Sequence, residues 1–137
     1  MNKTVLVYYS GTGNTEAMAT AMAEVLGIEA INVSDVDVES IVDADKFLLG
    51  CSASGAENLE ESEFQPFFDE LSASLSGKKV ALFGSYGWGG GEYMNAWQED
   101  IANAGASLFE QGLVVEGTPN EEDLESCKAF AIRFEND

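Results

Sequence analysis

At 137 residues the chain suffices for one domain around one buried core, and its 45% hydrophobic and 10% aromatic content is that of a globular protein, not a disordered or fibrous one. Twenty-five acidic residues against six basic ones give a formal charge of -19, a field that repels nucleic acid and anionic membranes and favours partners with basic surfaces. The lack of histidine excludes a Ser-His-Asp triad or a Cys-His pair and removes the usual nitrogen ligand of zinc, so unaided hydrolysis is not expected.

The chain opens with Met1-Asn2-Lys3, which leads directly into a short apolar run, Val5-Leu6-Val7-Tyr8-Tyr9, with no hydrophobic signal core or cleavage site. No stretch reaches transmembrane length, so a cytoplasmic protein with no membrane insertion is expected. Apolar residues then recur at Met18, Met22, Val25 and Leu26, the spacing of an amphipathic helix. Between this strand and helix lies Ser10-Gly11-Thr12-Gly13-Asn14-Thr15. Hydroxyl and amide side chains and two glycines crowd a helix start, where backbone N–H groups lack intrahelical acceptors and the dipole favours an anion. No Lys or Arg lies in the loop, so a phosphate there would be held by neutral donors. The loop lacks G-x-x-x-x-G-K-[ST] and G-x-G-x-x-G, which excludes a nucleoside triphosphatase loop and a dinucleotide fingerprint and leaves a smaller phosphorylated ligand. An ordinary turn, with Asn14 or Thr15 capping the helix, is the competing reading.

Further on, Ile28 to Val33 alternates as an edge strand would, and 35–43 reads as a short helix or irregular connection. Phe47-Leu48-Leu49-Gly50-Cys51 is a fully apolar strand. Glu60-Glu61-Ser62-Glu63 reads as a solvated helix start rather than a calcium loop, and Phe64, Phe67, Phe68, Leu71 and Leu75 form the helix that Gly77 stops. Val80-Ala81-Leu82-Phe83-Gly84 is the third buried strand, and Tyr93, Met94, Trp97 and Ile101 mark a helix ending near Gly105. Leu108-Phe109 and Leu113-Val114-Val115 form a last strand interrupted around Gly112. The acids Glu121-Glu122-Asp123 then start a closing helix carrying Leu124, Cys127, Ala131 and Phe134. Cys51 and Cys127 sit in apolar patterns outside any C-x-x-C pair, as buried reduced thiols do.

Five strands alternating with helices in fully apolar runs predict an α/β protein, a single domain over 1–137, with a parallel sheet covered on both faces. Ligands of such sheets bind beyond the carboxyl ends of the strands. Three loops emerge there: Ser10 to Thr15, Ser52-Ala53-Ser54-Gly55-Ala56-Glu57, and Ser85-Tyr86-Gly87-Trp88-Gly89-Gly90-Gly91. The second is small and flexible, and the third sets two aromatics among glycines, so Trp88 is expected to offer a stacking wall. An anion site, a polar loop and an aromatic wall suit a flat heterocycle on a phosphorylated stem.

The motifs Tyr8-Tyr9-Ser10-Gly11-Thr12-Gly13-Asn14-Thr15-Glu16, Leu49-Gly50-Cys51-Ser52-Ala53-Ser54-Gly55 and Leu82-Phe83-Gly84-Ser85-Tyr86-Gly87-Trp88-Gly89 resemble the short-chain flavodoxins of anaerobic bacteria. The likeness spans nearly the whole chain. It implies a three-layer flavodoxin-like sandwich with a five-stranded sheet in the order 2-1-3-4-5 and FMN at its switch point, an order that is the family's own. It further implies that Ser10, Thr12, Asn14 and Thr15, with backbone groups of Gly11 and Gly13 and the hydroxyls of Ser52 and Ser85, cradle the FMN phosphate. Trp88 would stack on the outer face of the ring, backbone groups at Gly87 and Trp88 would meet its pyrimidine end, and Glu57 would face N3. Gly55 matches the glycine whose carbonyl turns toward N5 on reduction. Two positions depart from the family pattern: Ser54 stands where Met is common, and Tyr9 where Trp is common. The implied function is a low-potential, one-electron carrier cycling FMN mainly between semiquinone and hydroquinone, a monomer serving redox enzymes with basic docking surfaces. A flavin-bearing activator of one enzyme, such as ribonucleotide reductase, would share these motifs. A signalling domain resembling response regulators would share the topology, but needs a lysine at the strand ends, whereas Lys46 and Lys78-Lys79 precede their strands.

Overall fold

The computed structural model describes residues 3–11, 13–52, 62–87 and 92–137. In chain order these form β1 (Thr4–Tyr9), α1 (Asn14–Leu26), β2 (Ala30–Asn32), β3 (Lys46–Cys51), α2 (Phe64–Ser72), β4 (Lys79–Tyr86), α3 (Tyr93–Asn103), β5 (Ser107–Leu108), β6 (Leu113–Glu116) and α4 (Glu121–Glu135). Two 3₁₀ turns, Val33–Asp35 and Val38–Ser40, make up the irregular connection expected between β2 and β3.

The sheet is parallel throughout and runs β2-β1-β3-β4-β5, the order expected. The interruption around Gly112 divides the fifth strand in two: Ser107 and Leu108 pair with Lys79 and Val80 at the start of β4, while Leu113 to Glu116 pair with Phe83 to Tyr86 at its end. The break is held in place locally. The Gly112 N–H donates to Gln98 Oε1 at 2.6 Å, and Glu110, at φ 51, receives both Arg133 Nε and Nη2 at 3.0 Å.

The fully apolar strands are explained by burial on both faces. Val5, Val7, Phe47, Leu49, Val80 and Leu82 face a core completed by Phe64, Phe68 and Leu71 of α2 and by Met94, Trp97 and Ile101 of α3. The alternate residues Leu6, Tyr8, Leu48, Ala81 and Phe83 face Met18 and Met22 of α1 and Cys127, Phe130 and Phe134 of α4. That division is the two-residue period of a pleated strand.

The helix ends follow from local chemistry. Gly27 stops α1 at φ 67, and its N–H reaches the carbonyls of Ala23 and Glu24. Asn120 caps α4 reciprocally: its Oδ1 accepts from Asp123 N at 2.8 Å, and Asp123 Oδ2 accepts from Asn120 N at 3.0 Å. At the other end of α4, Lys46 is 3% exposed and donates from Nζ to the carbonyls of Phe134, Glu135 and Asp137 at 2.9, 2.8 and 3.1 Å. The first residue of the central strand thus satisfies carbonyls that the helix leaves unpaired. Lys46 and Lys79 open their strands, at the edge away from the three expected ligand loops.

Candidate functional site

The chain leaves β1 at Tyr9 and enters α1 at Asn14, and the turn is set by Gly13 at φ 93 and ψ -8. Ser10 Oγ accepts from the Gly13 N–H at 3.0 Å, which closes the loop and leaves the Ser10 hydroxyl hydrogen free to donate. Gly13 occupies the N-cap position, and no side chain caps the helix there. The reading in which Asn14 or Thr15 serves as an ordinary cap is therefore not what the structure shows. The first-turn N–H groups face the loop with the positive end of the helix dipole behind them.

Thr15 lies one position further into α1, and its hydroxyl meets those of Ser52 and Ser85. Its side chain is fully buried, as is nearly all of Ser85 at 4% exposure, near the end of β4. Thr15 Oγ1 is 2.8 Å from Ser52 Oγ, just past β3, and 2.9 Å from Ser85 Oγ, and it also accepts the Ser85 backbone N–H at 3.2 Å. The protons can be counted. Three hydroxyls bring three hydrogens, and the two O···O bonds use two of them, so one is left to donate outward. Together with Ser10 and the helix N–H groups, this is a set of neutral donors, and such donors aimed at one point stabilise an anion.

The acid in the first turn of α1 accepts a hydrogen bond from β1. Glu16 Oε2 accepts the Tyr8 hydroxyl at 2.8 Å. Burial, and then that bond, push the Tyr8 hydroxyl above its ordinary range, so it remains protonated and donating. Of the remaining expected residues, Asn14 is half-buried, Gly11 is exposed, Tyr86 closes β4, and Gly87 has open space where a side chain would stand. Thr12, Ala53, Ser54, Gly55, Ala56, Glu57 and Trp88 lie outside the described residues. Of the residues expected at the phosphate, the structure joins Thr15, Ser52 and Ser85 to one another and Ser10 to Gly13, whereas the expectations for Thr12 and for most of the ring loops fall on residues not described.

Two participants escaped the sequence reading. Tyr93, the first residue of α3 and 3% exposed, donates its hydroxyl to the Cys51 carbonyl at 2.8 Å. A Cβ on Gly84 would collide with both the Tyr93 hydroxyl oxygen and that carbonyl. A glycine inside an otherwise apolar strand was the available signal, since it marks a place where other atoms approach the backbone closely.

Among the described residues no group of His, Cys, Asp or Glu could hold a metal ion, and both cysteines are buried and outside any disulfide. No helix among them is long and apolar enough to cross a membrane.

Comparison with known proteins agrees with this geometry. The flavodoxin family model matches residues 6–130. A flavodoxin of Clostridium beijerinckii is 46% identical over 136 residues, covering 96% of this chain and 98% of that one. A flavodoxin of Megasphaera elsdenii is 46% identical over 133 residues, covering 93% and 97%. Among solved structures, the two-electron reduced Megasphaera elsdenii flavodoxin superimposes with a TM-score of 0.80 at 42% identity, covering 94% of this chain and 98% of that chain. A flavodoxin from the domain Archaea gives 0.89 at 30% identity, covering 98% and 96%. With the parallel sheet, the uncapped helix start and the hydroxyl cluster at its carboxyl edge in place, the chain belongs to the flavodoxin family.

Proposed function

We propose that the FMN through which this flavodoxin carries electrons is held at its phosphate by Ser10, Gly11, Thr12, Gly13, Asn14 and Thr15, together with the hydroxyls of Ser52 and Ser85. As a flavodoxin the chain is an electron carrier and not an enzyme, and its cofactor is FMN. Bound FMN supplies the one-electron chemistry, while the chain supplies position and electrostatics. The observation that carries the phosphate assignment is the Thr15 cluster. Three buried or half-buried hydroxyls, from α1, from β4 and from the residue after β3, meet at an uncapped helix start and retain an unused donor. Those donors fit a phosphate and require no cation.

The ring is assigned to the segments on either side: Ala53, Ser54, Gly55, Ala56 and Glu57 on one, and Tyr86, Gly87 and Trp88 on the other. This assignment rests on the motifs and on the descent of both segments from strand ends that flank the hydroxyl cluster. We further propose a single-domain cytoplasmic monomer whose partners are redox enzymes with basic docking surfaces, a choice supported by the formal charge of -19. A client-specific activator is not favoured by relatives named simply as flavodoxins.

The test is a comparison of FMN and riboflavin binding to the cofactor-free protein, followed by the quenching of flavin fluorescence. If the donors act on the phosphate, FMN binds at least about a hundredfold tighter than riboflavin, the worth of roughly two hydrogen bonds to a charged group. Equal affinities would place the phosphate elsewhere.

A further inference from the structure

We infer that Tyr93 is a positioning residue that sets Ser52 for the cofactor phosphate, an inference that rests on the phosphate assignment above. The hydrogen bond from its hydroxyl to the Cys51 carbonyl joins residues 42 apart in sequence, both buried. It runs from the first turn of α3 past β4 to the last residue of β3. β4 yields that path because residue 84 is glycine: a Cβ there would overlap both bonded oxygens. Gly84 is not among the glycines at positive φ, so space and not backbone conformation requires the glycine.

The carbonyl of Cys51 belongs to the peptide that leads into Ser52, so fixing one orients the other. The Cys51 thiol adds a weaker contact, donating to the Ser52 carbonyl at 3.4 Å. On its other side, Ser52 is bonded through Oγ to Thr15 Oγ1 at 2.8 Å. Ser52 is therefore clamped between α3, through its backbone, and α1, through its hydroxyl. A donor held in place before the ligand arrives forfeits no ordering entropy on binding, and an unclamped one does. Tyr93 also begins α3, so this strut ties the start of α3 to the end of β3 through one hydroxyl.

A purely structural role, in which the hydroxyl merely satisfies a buried carbonyl, makes a different forecast from the clamp. Loosening of the fold weakens FMN and riboflavin alike, whereas displacement of Ser52 weakens the ligand that carries the phosphate. The experiment compares wild type, Tyr93→Phe, Ser52→Ala and the double variant, each freed of cofactor and titrated with FMN and with riboflavin. Tyr93→Phe should weaken FMN about tenfold, the loss of one hydrogen bond to a charged group, and riboflavin less than about twofold. In the Ser52→Ala background the same substitution should have no further effect on FMN, because the group it positions is gone. Equal losses for both ligands, or a full additional loss in the double variant, would overturn the inference. Weakened binding in Ser52→Ala with unchanged binding in Tyr93→Phe would overturn it while leaving the phosphate assignment standing. Unchanged binding in Ser52→Ala would remove the assignment of Ser52 and the inference with it. Exchange of the Tyr93 hydroxyl proton in the wild-type protein needs no substitution. It should already be slow before FMN is added, and ready exchange in the cofactor-free protein would also overturn the clamp.

Discussion

Replacing Thr15 by valine keeps the shape of the side chain and removes its oxygen, which makes it the sharpest probe of the site. The position is fully buried, so an isosteric change opens little cavity and the consequences are those of hydrogen bonding. The lost oxygen accepts the Ser85 N–H at 3.2 Å and bonds Ser52 and Ser85 at 2.8 and 2.9 Å. A buried N–H left without an acceptor costs about 1–3 kcal/mol, and each neutral hydroxyl bond contributes about 1 kcal/mol net, part of which the two serines recover from other partners. The cofactor-free protein should therefore lose about 2–3 kcal/mol, read as a urea midpoint lower by about 1–2 M at the usual slope for a chain of this size. FMN binding loses the oxygen that orients the serine hydroxyls toward the proposed phosphate, an effect comparable to one bond to a charged acceptor, about 1.5–3 kcal/mol, or roughly 10- to 150-fold in Kd. Riboflavin should respond much less. An unchanged urea midpoint would mean that Ser85 N–H has another acceptor, and equal losses for FMN and riboflavin would mean that Thr15 does not serve the phosphate.

Lys46→Met should lower stability by about 2–4 kcal/mol in a urea titration, since three carbonyls at the end of α4 lose their donor, while FMN affinity holds because the site is at the other edge; a coupled loss of affinity would contradict that separation. Gly84→Ala should destabilise the fold by about 1–3 kcal/mol through overpacking against the Tyr93 hydroxyl and the Cys51 carbonyl, and a variant as stable as wild type would show that this contact relaxes freely. Burial, followed by the nearby charge of Asp123, pushes the Cys127 thiol from 9.0 to about 12. Its folded value lies above its unfolded one, so its contribution to stability is present below 9.0 and is lost as pH rises from 9.0 toward 12; at neutral pH a thiol reagent should label it only at the rate of unfolding. Electron transfer to a basic acceptor such as cytochrome c should slow as salt rises from about 0.01 to 0.1 M and the screening length falls from about 30 to 10 Å, and stopped-flow rates indifferent to salt would exclude steering by charge.

The legible parts of the chain were those in which one physical demand governs a run of residues. Apolar runs at β1, β3 and β4 announce strands buried on both faces, and the loop from Ser10 to Thr15 announces the passage from strand to helix at which the phosphate is proposed to sit. The break in the fifth strand was visible at Gly112. Boundaries were less visible. β2 is confined to Ala30–Asn32 and α2 closes at Ser72, because the register with β1 and the turn toward Gly77 set those ends, and neither is a local property. Within the proposed site, Thr15, Ser52 and Ser85 are singled out by their place at strand ends and a helix start, but their mutual bonds are not readable. Thr15, Ser52 and Ser85 are 37 and 70 residues apart and meet only because β1, β3 and β4 are neighbours. The strut from Tyr93 is further from reach, since a side chain bonding a distant backbone carbonyl imposes no period on the sequence. Lys46 shows a different limit: its place before a strand was evident, yet its burial depends on where α4 ends.

The cation-free cradle has one further consequence. A phosphate entering the proposed site approaches a body of formal charge -19 and meets no Lys or Arg in the loop from Ser10 to Thr15, so the long-range field opposes the very ligand that the short-range donors are proposed to hold. Dissolved ions mute the field far more than they mute buried hydroxyls. Retention of the flavin should thus tighten with added salt, while contact with a basic recipient loosens. A single acidic surface makes ionic strength a lever that trades possession of the electron-bearing group against delivery of the electron.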